Sequence, residues 1–501
     1  MFARPEPAHT GARATSPRAT VVVMLALAGG LVWWRWAALN RHGDPVGVDI
    51  GNWLALGNAI GGHHVSGGDA VYPPLIPATI RALASLSGVP TAARASAAVA
   101  AILPGCGAWF ALRPSVGTRW ATVAALGLAG AGATSAAAAW GGLPQLVGLG
   151  LAPVVVVLAA RLVGRPTTRT TVLLGSLLLV LVGVSPLVFG LSLVSIVLAL
   201  TLAACVSRAD GWFRHASVAA AFMLPALPLS VHFLSSATIR TTAPGNAVRV
   251  VDVLRTVFVG APLAWCVLGV LALVAPVATW AFRADPLWAA STAMTVTAVL
   301  AALAFREARF SYLAPTAALV GAATVAAWSR GPLRMVVAVA VVTGVLVIVV
   351  SAPGTMHEER DVYARFVPRG TSTALRWVDA HTAPRDLFAV APVAGVPFGW
   401  WVEGWGRRPS LVGSDDRWLD FPGERRRAEL ATRLFTGTRW PSEHALALAR
   451  RSGVRWLYLP SGWGGVDRAA LRAARARHPG LVAYRGPGAL VLRVPEPDAR
   501  P

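Results

Sequence analysis

The chain reads as a succession of apolar runs separated by short, arginine-bearing breaks. Thr20–Trp34, Val172–Ser185, Leu187–Val206 and Met335–Ser351 contain no acidic residue, and most approach the roughly 20 residues that a helix needs to cross bilayer hydrocarbon. A first span is predicted at about Ala19–Leu39. Further spans follow at approximately 92–112, 119–138, 143–160, 170–185, 187–206, 215–235, 257–282, 287–304, 310–328 and 335–352, for a total of about eleven. A polar, glycine-rich stretch runs from Asn40 to Tyr72 after the first span. The next segment, Leu75–Leu86 (LIPATIRALASL), is apolar but carries Arg81 and contains Pro77. At about 12 residues it is too short to span, and it reads as a helix in the outer interface.

The arginines set the orientation. With the N-terminus in the cytoplasm, Arg113 with Arg119, Arg161 with Arg165 and Arg169, Arg208 with Arg214, Arg283, and Arg330 with Arg334 all become cytoplasmic. Arg240, Arg249 and Arg255, and Arg306 with Arg309, are the outer exceptions. Counting Leu75–Leu86 as a span would invert the whole assignment, so the pattern favours an odd number of spans and an external C-terminus. Arg4, Arg13 and Arg18 precede the first span like a signal sequence, but Val32–Leu39 (VWWRWAAL) has no small-x-small cleavage site, and an uncleaved anchor is expected.

From Pro353 onward aromatic, charged and turn residues interleave. Arg376–Ala380 reads as the end of an amphipathic helix, and Leu387–Val393, Trp456–Leu459 and Ala489–Val494 read as strands. The expected fold is therefore a polytopic α-helical membrane protein of about 11 transmembrane helices with a C-terminal soluble α/β or α+β extracytoplasmic domain. Its parts are a cytoplasmic tail (1–18), a transmembrane domain (19–352) with a first external loop (40–74), and the soluble domain (353–501). The cell location expected is the plasma membrane.

Composition changes this picture little. Of 501 residues 55% are hydrophobic and 14% charged, which places the chain outside the soluble globular range. The net charge of +22 comes from 45 basic residues, all arginine. Their short clusters between apolar runs are topology determinants rather than a nucleic-acid surface. Cys106, Cys205 and Cys266 lie in or at the end of apolar segments and offer neither a disulfide framework nor a CxxC site. No GxxxxGK[ST], GxGxxG or HExxH motif is present.

Acidic residues are scarce enough to carry information. Only eight of the 23 precede residue 353: Glu6, Asp44, Asp49, Asp69, Asp210, Asp252, Asp285 and Glu307. On the expected topology Glu6, Asp210 and Asp285 face the cytoplasm and the other five face outside. Asp44, Asp49 and Asp69 crowd into one outer loop, Gly43–Leu75 (GDPVGVDIGNWLALGNAIGGHHVSGGDAVYPPL). Asp49 is either a base or the N-cap of a short helix, and Asp44, before Pro45, suits a turn. His63-His64 has no third ligand at a fixed spacing. In the tail, Glu403, Asp415 and Asp416 read as surface acids, and Trp400, Trp401 and Trp405 as sugar-stacking or membrane-anchoring rings.

The loop resembles that of the GT-C superfamily of multi-span glycosyltransferases, which use polyprenyl-phosphate-linked sugars. The matching parts are Asp49, a short helix over roughly 52–60, and the turn Tyr72-Pro73-Pro74-Leu75 entering a juxtamembrane helix. Trp140-Gly141-Gly142-Leu143-Pro144-Gln145, Arg309-Phe310-Ser311-Tyr312-Leu313-Ala314-Pro315 and the external tail, with Trp377–Leu387, Trp401-Val402-Glu403-Gly404 and Gly406-Arg407-Arg408, extend the similarity over most of the chain. The resemblance implies transfer of a sugar from a polyprenyl-phosphate donor to a glycan, lipid or protein acceptor of the cell envelope. Asp49 would be the base, and Arg306, Arg309 and Arg255 the partners of the phosphate. Tyr72 and Asp69 would contact substrate, and a divalent cation is an optional cofactor. The competing readings are a transporter or flippase of a lipid-linked saccharide and a catalytically inactive assembly protein.

Overall fold

The computed structural model describes residues 17–40, 43–45, 47–63, 72–207, 211–226, 228, 258–305, 311–393, 398–413, 422–437 and 440–496. The apolar runs form helices. In chain order these are α1 (Pro17–Ala38), α2 (Ile50–Ile60), α3 (Leu75–Ser87), α4 (Val89–Ala100), α5 (Leu103–Gly130), α6 (Gly132–Trp140), α7 (Leu143–Gly164), α8 (Thr168–Val184), α9 (Pro186–Val206) and α10 (Trp212–Ala221). Then come α11 (Pro262–Ala278), α12 (Pro286–Phe305), α13 (Leu313–Trp328) and α14 (Gly331–Ala364).

Among the described residues five helical stretches are long and apolar enough to cross a membrane: Val89–Gly130, Leu143–Gly164, Pro186–Val206, Pro286–Ala304 and Gly331–Ala364. The first is interrupted at Gly117, whose φ of 81° and ψ of 167° are not helical. This break falls between the expected spans 92–112 and 119–138. α14 shows what solvent surrounds the bundle. Val337, Val341, Val345 and Ile348 face the protein core, while Val339, Leu346 and Val350 on the opposite side are exposed. A helix apolar on its exposed face as well as its buried one is solvated by lipid. The chain is a multi-pass membrane protein.

Helices in lipid gain little from apolar burial alone and pack where small residues let backbones approach. A Cβ on Gly107 of α5 would fall on the Gly150 carbonyl oxygen of α7, and one on Gly105 would sit 2.5 Å from the Ala125 oxygen.

The tail adds α15 (Thr371–His381), β1 (Leu387–Val390), α16 (Gly399–Gly404), α17 (Pro422–Phe435), α18 (Glu443–Arg451), β2 (Val454–Pro460), α19 (Arg468–Arg477), β3 (Val482–Gly486) and β4 (Ala489–Arg493). The strand order is β1-β2-β4-β3, with β1 parallel to β2 and the other pairs antiparallel. Side chains alternate across the sheet. On one face Ala389, Leu457, Leu459 and Leu492 pack with Leu446 of α18 and Leu471 of α19. On the other, Phe388, Val390, Tyr458 and Val491 join Ile50, Trp53, Leu143, Leu146 and Met356 in a single apolar core. The sheet and the end of the helical bundle are thus sealed to each other by one hydrophobic cluster.

Two local expectations change, and one strand appears that was not expected. The strand expected at Leu387–Val393 stops at Val390. Strand β3 carries no strong alternation, with only half-buried and exposed positions, and is formed by pairing to β4. α14 does not end near residue 352 but passes through Pro353 to Ala364. At 1.5 Å per residue its 34 residues reach about 50 Å, well beyond the roughly 30 Å of hydrocarbon.

Candidate active site

Asp49 stands at the N-cap position of α2, but its side chain makes no capping hydrogen bond. Its backbone N–H donates to Trp140 O at 3.0 Å, and Trp53, one turn on, donates from Nε1 to Gly141 O at 2.7 Å. The loop can reach the α6–α7 turn because both backbones are bare there. Gly47 (φ +108°) and Gly141 (φ +93°) adopt conformations that side chains disfavour, and a Cβ on Gly47 would lie 3.1 Å from Gly141 N. The Trp140-Gly141-Gly142 motif therefore clamps the residue before α2.

The opposite side of α2 is held by the tail. Gly51 faces the Trp401 indole, where an added Cβ would sit 3.0 Å from the ring. Asn58 donates from Nδ2 to Glu403 O at 3.0 Å and Gly404 O at 2.9 Å, closing the C-terminal carbonyls of α16. From α3, Arg81 donates from Nη1 to Gly57 O at 2.8 Å, and the Tyr72 ring packs on Trp53 at 4.7 Å. Trp400, Trp401 and Glu403 are buried, which corrects the expectation of a stacking or solvated surface. Glu403 Oε1 accepts from Ser410 N and Oγ at 3.1 and 3.0 Å.

Asp44 does not point to chemistry. It is buried, and its carboxylate accepts from Gly370 N at 2.7 Å, Ser372 N at 2.9 Å and Ser372 Oγ at 2.5 Å. These N–H groups open α15 and have no intrahelical acceptor, so Asp44 caps a helix of the tail from the first loop.

The extension of α14 brings two further residues. Met356, Glu359 and Tyr363 recur at i, i+3 and i+7 and share one helix face. The Tyr363 hydroxyl is pushed up to about 12, first by burial and then by the negative charges of Glu359 and Asp49. Burial, with Glu358 beside it, holds the Glu359 carboxyl above its ordinary value. Glu359 lies in the charged run His357–Asp361 and Tyr363 just after it, both beyond the apolar span. The Tyr363 hydroxyl thus feels the charges of both Glu359 and Asp49. Neither Glu359 nor Tyr363 was singled out from sequence, although the unbroken helical period through Met356 was a signal for them. Among the described residues no three or more His, Cys, Asp or Glu side chains converge as a metal-ligand group. Asp69, Arg255, Arg306 and Arg309, with His64, Asp415 and Asp416, lie outside the described residues.

No family model matches this chain. No curated protein matches it in sequence. Solved structures do match. ArnT from Cupriavidus metallidurans in the apo state aligns over 96% of this chain and 99% of its own, with a TM-score of 0.60 at 15% identity. The chain has the GT-C fold. Mycobacterial arabinofuranosyltransferase AftD aligns over 95% of this chain but 40% of its own length (TM-score 0.63, 17% identity). The oligosaccharyltransferase of Archaeoglobus fulgidus aligns over 88% and 68% (TM-score 0.52, 13% identity). The fold resemblance inferred from the Asp49 loop and the Trp140 turn holds across the whole chain.

Proposed function

We propose that this chain is an integral membrane glycosyltransferase that moves a sugar from a polyprenyl-phosphate donor to an extracytoplasmic acceptor of the cell envelope, with Asp49 as base. The observation that carries the reading is the placement of Asp49: at the head of α2, clamped by the Trp140–Gly141 turn. The acceptor hydroxyl attacks the anomeric carbon as Asp49 takes its proton, and the bond from that carbon to the phosphate oxygen breaks with its electron pair. The tail shapes the acceptor side, since α16 packs directly on α2. ArnT has also been solved with undecaprenyl phosphate bound, over 96% of this chain and 99% of its own, at 15% identity and a TM-score of 0.58. That precedent supports the choice of lipid donor.

The same reading takes Tyr72 and Asp69 to substrate, and Arg306, Arg309 and Arg255 to the donor phosphate. A divalent cation, as an optional cofactor, would lend positive charge to the phosphate. Eleven spans are proposed, with the N-terminus cytoplasmic and the sheet domain outside. The break at Gly117 and the continuous helices from α7 to α9 and from α11 to α14 support that count.

The test is transfer from a panel of labelled polyprenyl-phosphate sugars by the reconstituted full chain and by Asp49→Asn at matched folding. Transfer that collapses in the variant supports both the class and the base. Equal transfer removes Asp49 from the mechanism. Movement of saccharide across the bilayer without donor turnover establishes a transporter instead.

A further inference from the structure

The end of the bundle remote from Asp49 carries a second organised group of side chains. Arg330 precedes α14 and Tyr363 stands near its last residue, about 50 Å of helix apart. It is the Tyr363 end that feels the Asp49 charge. At the Arg330 end the α11–α12 turn meets the α13–α14 turn. Phe282 stacks on Trp328, with ring centroids 4.8 Å apart and planes 19° from parallel. The Arg330 guanidinium carbon lies 5.6 Å from the Phe282 ring centre, and that of Arg283, the next residue along, lies 4.8 Å from the Trp280 ring centre. Trp280 packs edge-on against Trp288, whose Nε1 donates to Pro276 O at 3.0 Å. Rings of one turn thus seat both guanidiniums.

Both arginines are exposed, and among the described residues neither pairs with a carboxylate. Asp285, the nearest acid in sequence, is engaged elsewhere: its Oδ1 accepts from Ser115 Oγ at 2.9 Å and from Leu287 N at 2.8 Å, which joins it to the break in α5 and the start of α12. The first turn of α14 contains no acid and is followed by Arg334, although a helix start favours negative charge. Beside this uncompensated charge the surface is apolar. α11 and α14 pack on each other, and Val277 and Trp280 on the first side, with Leu333, Met335 and Val336 on the second, are all exposed. A guanidinium pair matches phosphate oxygens, and an apolar wall next to it matches acyl chains. A free anion uses only the first feature, and a zwitterionic lipid brings a cation of its own.

We propose that Arg283 and Arg330, seated on the rings of the α11–α12 turn, bind the headgroup phosphate of an anionic phospholipid in the leaflet farther from Asp49, with its acyl chains along α11 and α14. The site is separate from the one that handles sugar and does not depend on the glycosyltransferase reading. It needs only that these helices cross a bilayer. The bound lipid neutralises the start of α14 and bridges two turns that otherwise meet through the Phe282–Trp328 stack.

The experiment is native mass spectrometry of the full chain in detergent, titrated with phosphatidylglycerol, with phosphatidylcholine of the same acyl chains, and with glycerol 3-phosphate. Wild type takes up its first phosphatidylglycerol more tightly than either of the other probes. Arg283→Gln/Arg330→Gln weakens that binding by about ten- to thirtyfold, as expected when two interfacial arginines are lost, and leaves phosphatidylcholine unchanged. Arg165→Gln/Arg169→Gln, which removes two exposed arginines from the α7–α8 turn, changes it by less than about twofold on the same scale. A folded Arg283→Gln/Arg330→Gln variant that binds phosphatidylglycerol like wild type overturns the proposal. So does an equal loss in the Arg165→Gln/Arg169→Gln variant, which reduces the effect to diffuse surface charge. If the Arg283→Gln/Arg330→Gln variant does not fold, wild-type affinity in both single variants overturns it. Wild type without preference over phosphatidylcholine overturns the anionic headgroup, and glycerol 3-phosphate binding as tightly as the lipid overturns the lipid assignment.

Discussion

Replacing Asp44 separates the acid that builds the protein from the acid that runs its chemistry. Its carboxylate is 4% exposed and accepts three hydrogen bonds, two from backbone N–H groups at the start of α15 and one from a hydroxyl. Asp44→Ala leaves those donors buried and unsatisfied. Losing a helix cap costs about 1 kcal/mol, and orphaning buried donors of a charged acceptor adds more, so a loss of about 3 kcal/mol is expected. For a unit the size of the tail domain this is a fall in Tm of about 6 to 12 °C. Asp44→Asn keeps one good acceptor and loses about half as much. The assay is thermal unfolding in nanodiscs, followed by tryptophan emission, beside sugar transfer at a temperature where all variants are folded. Asp44→Asn keeps transfer and Asp49→Asn does not. An unchanged Tm in Asp44→Ala refutes the cap, and loss of transfer in Asp44→Asn with its Tm intact places Asp44 in the chemistry.

Gly107→Ala drives a Cβ into the Gly150 carbonyl and forces α5 from α7; size-exclusion profiles should show loss of the monodisperse protein, a cost of several kcal/mol, while Gly164→Ala, with open space around it, is unaffected. Asn58→Leu leaves the Glu403 and Gly404 carbonyls without their donor and should loosen the tail from α2 by about 1–2 kcal/mol, seen as faster proteolysis after α14. Glu359 is held above its ordinary 4.5 by burial, so its protonated form stabilises the fold. That contribution is complete below the unfolded value and is lost as pH rises through the folded one. Glu359→Gln should therefore flatten the decline of Tm as pH rises above the ordinary 4.5, and an unaltered Tm–pH curve would show that the carboxyl is not perturbed.

Much of the fold was legible because lipid imposes a simple rule on sequence. A backbone crossing hydrocarbon must satisfy its own hydrogen bonds, so α7, α9, α12 and α13 coincide closely with the apolar runs that predicted them. Pro353 misled for a related reason. A proline breaks a ladder of hydrogen bonds, and with polar residues after it the position read as a stop, although helix packing carries α14 past it. Strand β3 was invisible because its residues are half-exposed and owe their conformation to β4.

The site divides along the same line. The sequence alone placed Asp49 in the outer loop where three of the scarce acids crowd, named the Trp140 turn, and pointed to the GT-C fold, because rare acids and bare glycine turns stand out in an apolar chain. It could not assign Asp44 to a cap on α15, some 326 residues away, nor connect Tyr363 with the Asp49 charge, nor show that Glu403 is buried. Those facts are decided by side chains meeting from distant segments, and a contact between remote residues leaves no periodicity in either of them.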